Sequence, residues 1–547
     1  MTPPRPDIPV LIAGGGPAGL AAAAELAWHG IRCVVIEPRT EVSHRRPRAK
    51  TTSVRTMEHL RRWGLAGRLR AAAPLPVAWS QRVTFCESLS GRRITDFDGA
   101  FGLVTGRDDR FAEAGQQVPQ PVVEEVLRAH LQCRPEADLR LGQSVTALAC
   151  DAGGVTVTVR APGGGAYPLR ARYVLGCDGA AGVVRDQIGA RYAGRSDQRP
   201  NFNLVFRAPR LDTPLGPAVQ YWVVGGATTG VLGRLDLAGT WWAGLPGIEA
   251  GYGTAHAAEL ITGLIGAPAE HEVLATDPWT ARMLVADTFA AGRVFLAGES
   301  AHVNPPWGGH GFNTSVGDAV NIAWKIAAVE RGWAPPALLD SYDPERRGVV
   351  EQTVASAASH LGHLAGDLPA DAAAIQRAKY PEFHSLGLVL GYTYAGSPVI
   401  QPGNRARPPG DLSRFTPAAE PGARLPHAWL PDGSSLYDHL GRGLTLIGPA
   451  GDRPAAVAAL TAGAAQRGIP LAVREPPPGY PWRTEFLLVR PDQHIAWRSD
   501  DPAGIDLDVV TGRCSIRGVW CDGIEVQPES AEGRNLCASP MSATGSA

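Results

Sequence analysis

Residues Pro9 to Glu37 read PVLIAGGGPAGLAAAAELAWHGIRCVVIE, and the order of residue types in this stretch decides the fold. An apolar run ending at Ala13 has the composition of a buried strand. Gly14-x-Gly16-x-x-Gly19 follows at once, an Ala-rich segment to about His29 predicts a helix, and Cys33-Val34-Val35-Ile36-Glu37 predicts a second strand beyond Gly30. Gly14 permits a tight turn, Gly16 lets a pyrophosphate approach the backbone, and Gly19 lets the helix pack on the strand. Pro17 and Ala18, between the last two glycines, belong to the same nucleotide-binding turn. Glu37 closes the second strand roughly twenty residues on, where a carboxylate can bind ribose hydroxyls. A lone glycine fingerprint carries little weight. The strand before it, the helix after it and the acid in register make it a β-α-β dinucleotide unit.

A second glycine-bearing stretch, Arg293 to Ile326, reads RVFLAGESAHVNPPWGGHGFNTSVGDAVNIAWKI. A short apolar strand leads to a small-residue turn holding Glu299. A rigid Pro305-Pro306-Trp307-Gly308-Gly309 loop then enters a helix with Val320, Ala323, Trp324 and Ala327 near helical spacing. Backbone amides at such a helix entrance collect partial positive charge, which suits a planar cofactor that turns negative when reduced.

This stretch resembles the second FAD motif of the single-component, para-hydroxybenzoate-hydroxylase-like flavoprotein monooxygenases. Its usual form is Gly-Asp-Ala-Ala-His, a Pro-containing loop, Gly-x-Asn and Asp-Ala-x-Asn. The departure is Glu299 in the Asp slot, where one extra methylene still reaches a ribityl hydroxyl. The resemblance implies that Pro306, Gly309, Gly311, Phe312 and Asn313 lie along the flavin. It extends to Arg46-x-Arg48-Ala49, where it places Arg48 on FAD with Arg46 as helper, and to Gln120, which it aims at the ribityl chain. It also covers Asp178-Gly179 before Val183-Val184-Arg185, where Gly182 replaces the usual Ser. Lys50 occupies a slot where relatives carry Gly or, in some phenol hydroxylases, an Asp acting as base. Without the resemblance, the Arg45–Lys50 cluster reads as a solvated basic face and Gln120 as a polar helix cap.

Composition bounds the remaining choices. The 547 residues suffice for two or three domains, and 44% hydrophobic with 19% charged content is ordinary for a soluble protein. A formal net charge of -1 offers no field to gather nucleic acid or an anionic membrane. The 8 Cys are scattered without Cys-x-x-Cys or any spacing fit for a metal, so no metal and a reduced, cytoplasmic setting are expected. Val10 to Ala27 is interrupted by glycines, Pro17 and Glu25 and lacks a basic leader, unlike a signal peptide or membrane span.

The expected fold class is α/β: a Rossmann-like FAD-binding domain, an inserted mixed or antiparallel β-sheet substrate domain, and a thioredoxin-like C-terminal domain. The FAD-binding domain is drawn from residues 1–75, 110–190 and 280–400. The substrate domain takes 76–109 and 191–279, where Tyr221, Trp222, Trp241, Trp242 and Tyr252 fall in strand-like sequence. Aromatic residues there serve a core more often than a ligand wall; Tyr221, Trp222 and Trp307 are nevertheless the candidate substrate contacts. A Pro-rich linker at 401–410 precedes the thioredoxin-like domain at 411–527, which the resemblance suggests and which lacks a redox Cys pair, and residues 528–547 read as disordered.

The family resemblance implies an FAD-dependent monooxygenase. It would consume NADPH or NADH and O2 and hydroxylate a phenolic or polycyclic polyketide-like substrate through a flavin C4a-hydroperoxide, with a homodimer as the candidate assembly. The Pro306-Trp307 loop would help keep water out, because wet flavin hydroperoxides collapse to hydrogen peroxide. A phenol needs help losing its proton; His310 is the first candidate for tuning this and Lys50 the second. Against His310 stands the reading of a solvated loop imidazole. Rival outcomes are Baeyer-Villiger oxygenation, a flavin-dependent halogenase and a non-catalytic FAD-binding protein. The halogenase motif Trp-x-Trp-x-Ile-Pro fails at Trp241-Trp242-Ala243-Gly244-Leu245-Pro246.

Overall fold

The β-α-β unit is strand Ile8–Ala13, helix Pro17–Trp28 and strand Cys33–Glu37. The computed structural model describes residues 8–44, 50–401 and 410–514. Arg46 and Arg48, most of the 401–410 linker and the 528–547 tail lie outside them. The two strands sit inside a parallel sheet whose order is Val294–Leu296, Ala166–Gly176, Ile8–Ala13, Cys33–Glu37, Ala137–Leu141. Val10, Leu11 and Ile12 are fully buried, as central parallel strands are when both faces are covered. The alanines of Pro17–Trp28 let that helix lie close against the long helix Gly311–Glu330. Its one buried acid, Glu25, is answered by Arg62 at 2.7 Å and the Trp63 indole at 2.7 Å. A hairpin, Ser144–Asp151 with Gly154–Arg160, extends the first half of Ala166–Gly176 in antiparallel register.

The second sheet has eight strands in the order His302–Val303, Glu272–Ala286, Tyr192–Arg207, Thr240–Pro246, Gly230–Arg234, Gln220–Val223, Val83–Cys86, Arg93–Phe97. All neighbours run antiparallel except Gln220–Val223 with Val83–Cys86. Side chains alternate between its faces. Phe202, Leu204, Phe206, Tyr221 and Trp241 point into a core closed by helix Ala257–Ile265. Asn203, Trp222, Val231, Gly233, Trp242 and Trp279, set by the same registers, share the other face.

The C-terminal unit is a four-stranded sheet in the order Leu471–Arg474, Leu444–Ile447, Phe486–Val489, Ile495–Ser499. The first two are parallel across helix Pro454–Gln466 and the third is antiparallel to its neighbours, a thioredoxin-like arrangement. Buried charge joins it to the first domain. Arg490 holds Glu345 at 2.7 and 2.8 Å and Asp492 at 2.6 Å, and Lys325 reaches Glu345 at 2.7 Å. Ions taken out of water persist only when paired in this way. Among the described residues no helix is long and apolar enough to cross a membrane.

Candidate active site

Three turns separated in sequence meet at the carboxyl ends of the parallel strands. Gly298, at φ +66°, sits between two helix starts: a Cβ there would lie 2.9 Å from Ala18 Cβ and 3.3 Å from Ser315. Asp178 accepts from the Ser300 hydroxyl at 2.8 Å, and Ser300 accepts from the Gly179 amide at 3.0 Å. The other Asp178 oxygen accepts the Val184 amide at 3.0 Å and so caps helix Val183–Gln187. That explains Gly182 in the slot where the family pattern carries Ser, because a Cβ at this position would fall 2.1 Å from the Asp178 carboxyl carbon. Asp178 takes over the cap and needs the room.

The residues present fit FAD. Helix Pro17–Trp28 begins with no side-chain cap and no acid in its first turn, and a Cβ on Gly16 would meet nothing within 4 Å. The open amides and the space above them suit a pyrophosphate. Glu37 closes the far side of the turn. It accepts the Gly15 amide at 2.6 Å and the Arg39 guanidinium at 2.7 Å. Gln120 donates to Glu124 at 2.8 Å from the first turn of helix Gln120–Gln132. Glu299 is exposed in its turn, and its carbonyl accepts the Tyr192 hydroxyl.

Arg128, which sequence reasoning passed over, is buried on the same helix 3.9 Å from Glu37. Its Nε and one terminal nitrogen have no hydrogen-bond partner among the described residues. Buried unsatisfied donors are costly and mark the place of an acceptor that binds there. The signal was available: Glu124 and Arg128 stand four apart on the helix stripe that also carries Leu127 and Leu131.

The Pro-rich loop delivers the second helix start. Helix Gly311–Glu330 has no side-chain cap, which leaves the amides at Gly311, Phe312 and Asn313 at its mouth. The Asn313 side chain is occupied: it donates to Thr51 and Gly309 carbonyls at 3.0 and 2.7 Å and accepts from the Ser53 amide at 2.8 Å. It fastens the loop to the Thr51–Ser53 segment, so any contact it offers a flavin comes from its backbone. Asp318 fixes the turn from below, taking the Gly298 amide at 3.1 Å, His302 at 2.7 Å and Arg346 at 2.8 Å. Burial would raise this carboxyl, but His302 and Arg346 hold it below its ordinary value. Pro306 precedes Trp307, which packs on Ala281 and Leu364 with its ring 6.3 Å from that of Trp279.

His310 is buried, and burial, assisted by His360, pushes its pKa down to about 4. It lines a small cavity with Thr51, Phe101, Gly102 and Leu386. It is therefore neutral at neutral pH and is not the solvated imidazole that the sequence also allowed.

The two aromatic candidates from the sheet part company. Tyr221 is in the closed core, donating to the Gly216 carbonyl at 2.6 Å, and adjacent strand residues must face opposite sides. Trp222 lies on the other face but is covered by Phe383 and by Lys379, whose Nζ is 3.9 Å from the ring centroid. The tryptophans less covered on that face are Trp242 and Trp279, each with a buried indole N–H lacking an acceptor among the described residues. Lys50 reaches the same face, with Nζ 2.7 Å from the Val219 carbonyl and 5.1 Å from the Trp242 ring centroid.

Comparison with known proteins agrees with this geometry. Residues 7–357 match the FAD binding domain family, and residues 418–513 match the aromatic-ring hydroxylase C-terminal family. A putative polyketide hydroxylase of Streptomyces halstedii is 30% identical over 531 residues, covering 90% of this chain and 94% of that protein. A 4-methyl-5-nitrocatechol 5-monooxygenase of Burkholderia is 32% identical over 564 residues, covering 95% and 99%. The crystal structure of a ternary complex of aklavinone-11 hydroxylase with FAD and aklavinone superposes with a TM-score of 0.82 at 27% identity, covering 93% and 98%.

Proposed function

The chain belongs to the FAD-dependent aromatic-ring hydroxylases, and on that premise we propose that it hydroxylates a polycyclic, oxygen-bearing aromatic compound, consuming NAD(P)H and O2. The observation that carries the substrate class is the sheet face that bears Trp242 and Trp279. Both rings are half-buried, and each has a buried indole N–H without an acceptor among the described residues. A fused-ring substrate with hydroxyl or carbonyl oxygens answers both features. The similarity to a polyketide hydroxylase and to the aklavinone complex supports the same class.

Bound FAD supplies the redox chemistry and the activation of O2. The protein supplies its place. Gly16 and the uncapped Pro17 helix start receive the pyrophosphate, Arg128 offers the donors that have no partner among the described residues to an acidic or hydroxyl oxygen of the nucleotide, and Glu37 faces a ribose. The amides of Phe312 and Asn313 stabilise negative charge at the flavin's pyrimidine edge by dipoles fixed in advance. Trp307 and the Pro305-Pro306 turn help keep water from the reacting flavin.

Purified holoenzyme should oxidise NAD(P)H faster with a polycyclic hydroxyquinone or naphthol, giving a product heavier by one oxygen atom. A panel of such compounds and simple phenols that produces neither stimulation nor an oxygenated product would refute this reading.

A further inference from the structure

We propose that Lys50 takes the proton from an acidic phenolic hydroxyl of the substrate and then holds the phenolate. The proposal rests on the aromatic-substrate reading above and adds to it the group that makes the ring reactive.

The chain has lysine only at positions 50, 325 and 379. Two of these are ordinary buried ion-pair lysines: Lys325 is 2.7 Å from Glu345, and Lys379 is 2.6 Å from Glu382. Lys50 makes no salt bridge among the described residues. Its one side-chain hydrogen bond among the described residues, to the Val219 carbonyl at 2.7 Å, uses a single donor of the three an ammonium carries. Gln117 donates to the same carbonyl at 3.4 Å, while its own side-chain oxygen is buried without a partner among the described residues.

Position 233 shows that this polar cluster needs space. A Cβ on Gly233 would lie 2.8 Å from Lys50 Nζ, 2.8 Å from the Val219 oxygen and 3.1 Å from Trp242 Nε1. Three polar atoms from three segments therefore converge over one residue that has no side chain to separate them.

What faces Lys50 is the Val219 carbonyl, the Trp242 indole, the Gln117 amide and the Gly233 backbone; no charged group among the described residues offsets its burial. Burial without a counter-charge pushes the Lys50 amine well below its usual value. A lysine in that condition gives up its proton more readily than a free one and can act as a base. When a phenol enters, its O–H bond breaks, an N–H bond forms on Nζ, and the electron pair stays on oxygen. The ammonium and the phenolate then pair across the transferred proton, and the Trp242 face supports the ammonium. No oxidant is needed for this step, and the phenolate it leaves is a more electron-rich ring for oxygen transfer.

The test uses holoenzyme and a fluorinated naphthol, with fluorine NMR distinguishing the neutral from the ionised probe. In wild type the bound probe should ionise at least about one pH unit below its value in solution, and in Lys50→Met it should not. Turnover of Lys50→Met with the same naphthol should fall by about a hundredfold and recover as pH rises towards the pKa of the free probe. A Lys50→Arg protein, a cation that cannot act as a base, should keep probe affinity without restoring neutral-pH turnover, which separates proton transfer from folding. A probe that binds neutral in wild type, or ionised equally in wild type and Lys50→Met, overturns the role of Lys50 and leaves the aromatic-substrate reading intact. A naphthol that neither binds nor stimulates NAD(P)H oxidation overturns both.

Discussion

Two glycines of one turn should fail in different ways when each becomes alanine. Gly14 is at φ +102°, and a Cβ would stand 2.2 Å from the Cys177 carbonyl oxygen and 2.6 Å from its carbon. Neither side can yield, because Ala13 is registered with both Gly176 and Ile36 and the Gly14 amide donates to Ile36 at 2.8 Å. The strained dihedral costs about 1–2 kcal/mol and the overpacking about 1–3 kcal/mol. Gly14→Ala should therefore destabilise the apoprotein itself by roughly 2–5 kcal/mol. Gly16 is at φ -78° and ψ -173°, ordinary for alanine, with nothing within 4 Å of a Cβ. Gly16→Ala should leave the apoprotein within about 0.5 kcal/mol of wild type. It should, however, put a methyl where the pyrophosphate passes and weaken FAD at least about tenfold, or about 1.4 kcal/mol. Melting both apoproteins with and without FAD separates the two effects. At free FAD about a hundredfold above the wild-type Kd, binding adds about 2.7 kcal/mol, and a tenfold weaker site adds only about 1.4 kcal/mol. An undiminished FAD shift in Gly16→Ala would refute the placement of the pyrophosphate, and an apo Gly14→Ala that melts like wild type would refute the strain argument.

Asp318→Asn should cost about 3–5 kcal/mol, because Arg346 and His302 then face a buried amide instead of a carboxylate and the Gly298 turn loses part of its anchor. Chemical denaturation and the flavin content of purified protein would test it, and wild-type values in both would count against the anchor. His310 has a different pH signature. With its folded pKa pushed to about 4 and an unfolded value of about 6.5, it is neutral in both states above pH 6.5. Below that, only the unfolded chain takes the proton, so stability is lost as pH falls from about 6.5 towards about 4, by up to the order of 3 kcal/mol. Urea midpoints measured against pH should show this slope in wild type and lose it in His310→Asn; equal slopes would remove His310 as its source.

The sequence alone determined the elements whose signals are local. A glycine fingerprint between a strand and a helix, an acid at the end of the next strand, and a Pro-Pro-Trp-Gly-Gly turn entering a helix each depend on neighbours a few residues away, so the FAD family and the α/β framework were legible. Local order could not decide which of two adjacent aromatics faces a ligand. Tyr221 and Trp222 differ by one residue, and only the register with Leu232 and Val231 and the helix packed on one face put Tyr221 in the core, while Trp242 stands on the other face beside Lys50. The role of Asp178 was similarly hidden, since Gly182 explains itself only once the carboxylate is seen in the space a serine would fill. The sequence marks Lys50 only as the second candidate for assisting phenol ionisation and leaves Arg128 aside; long-range folding buries Arg128 with donors unused and sets Lys50 beside Trp242 with no counter-ion, both among the described residues. A chain specifies its backbone preferences within a few residues, whereas burial and the absence of a counter-charge are properties of everything folded around a side chain.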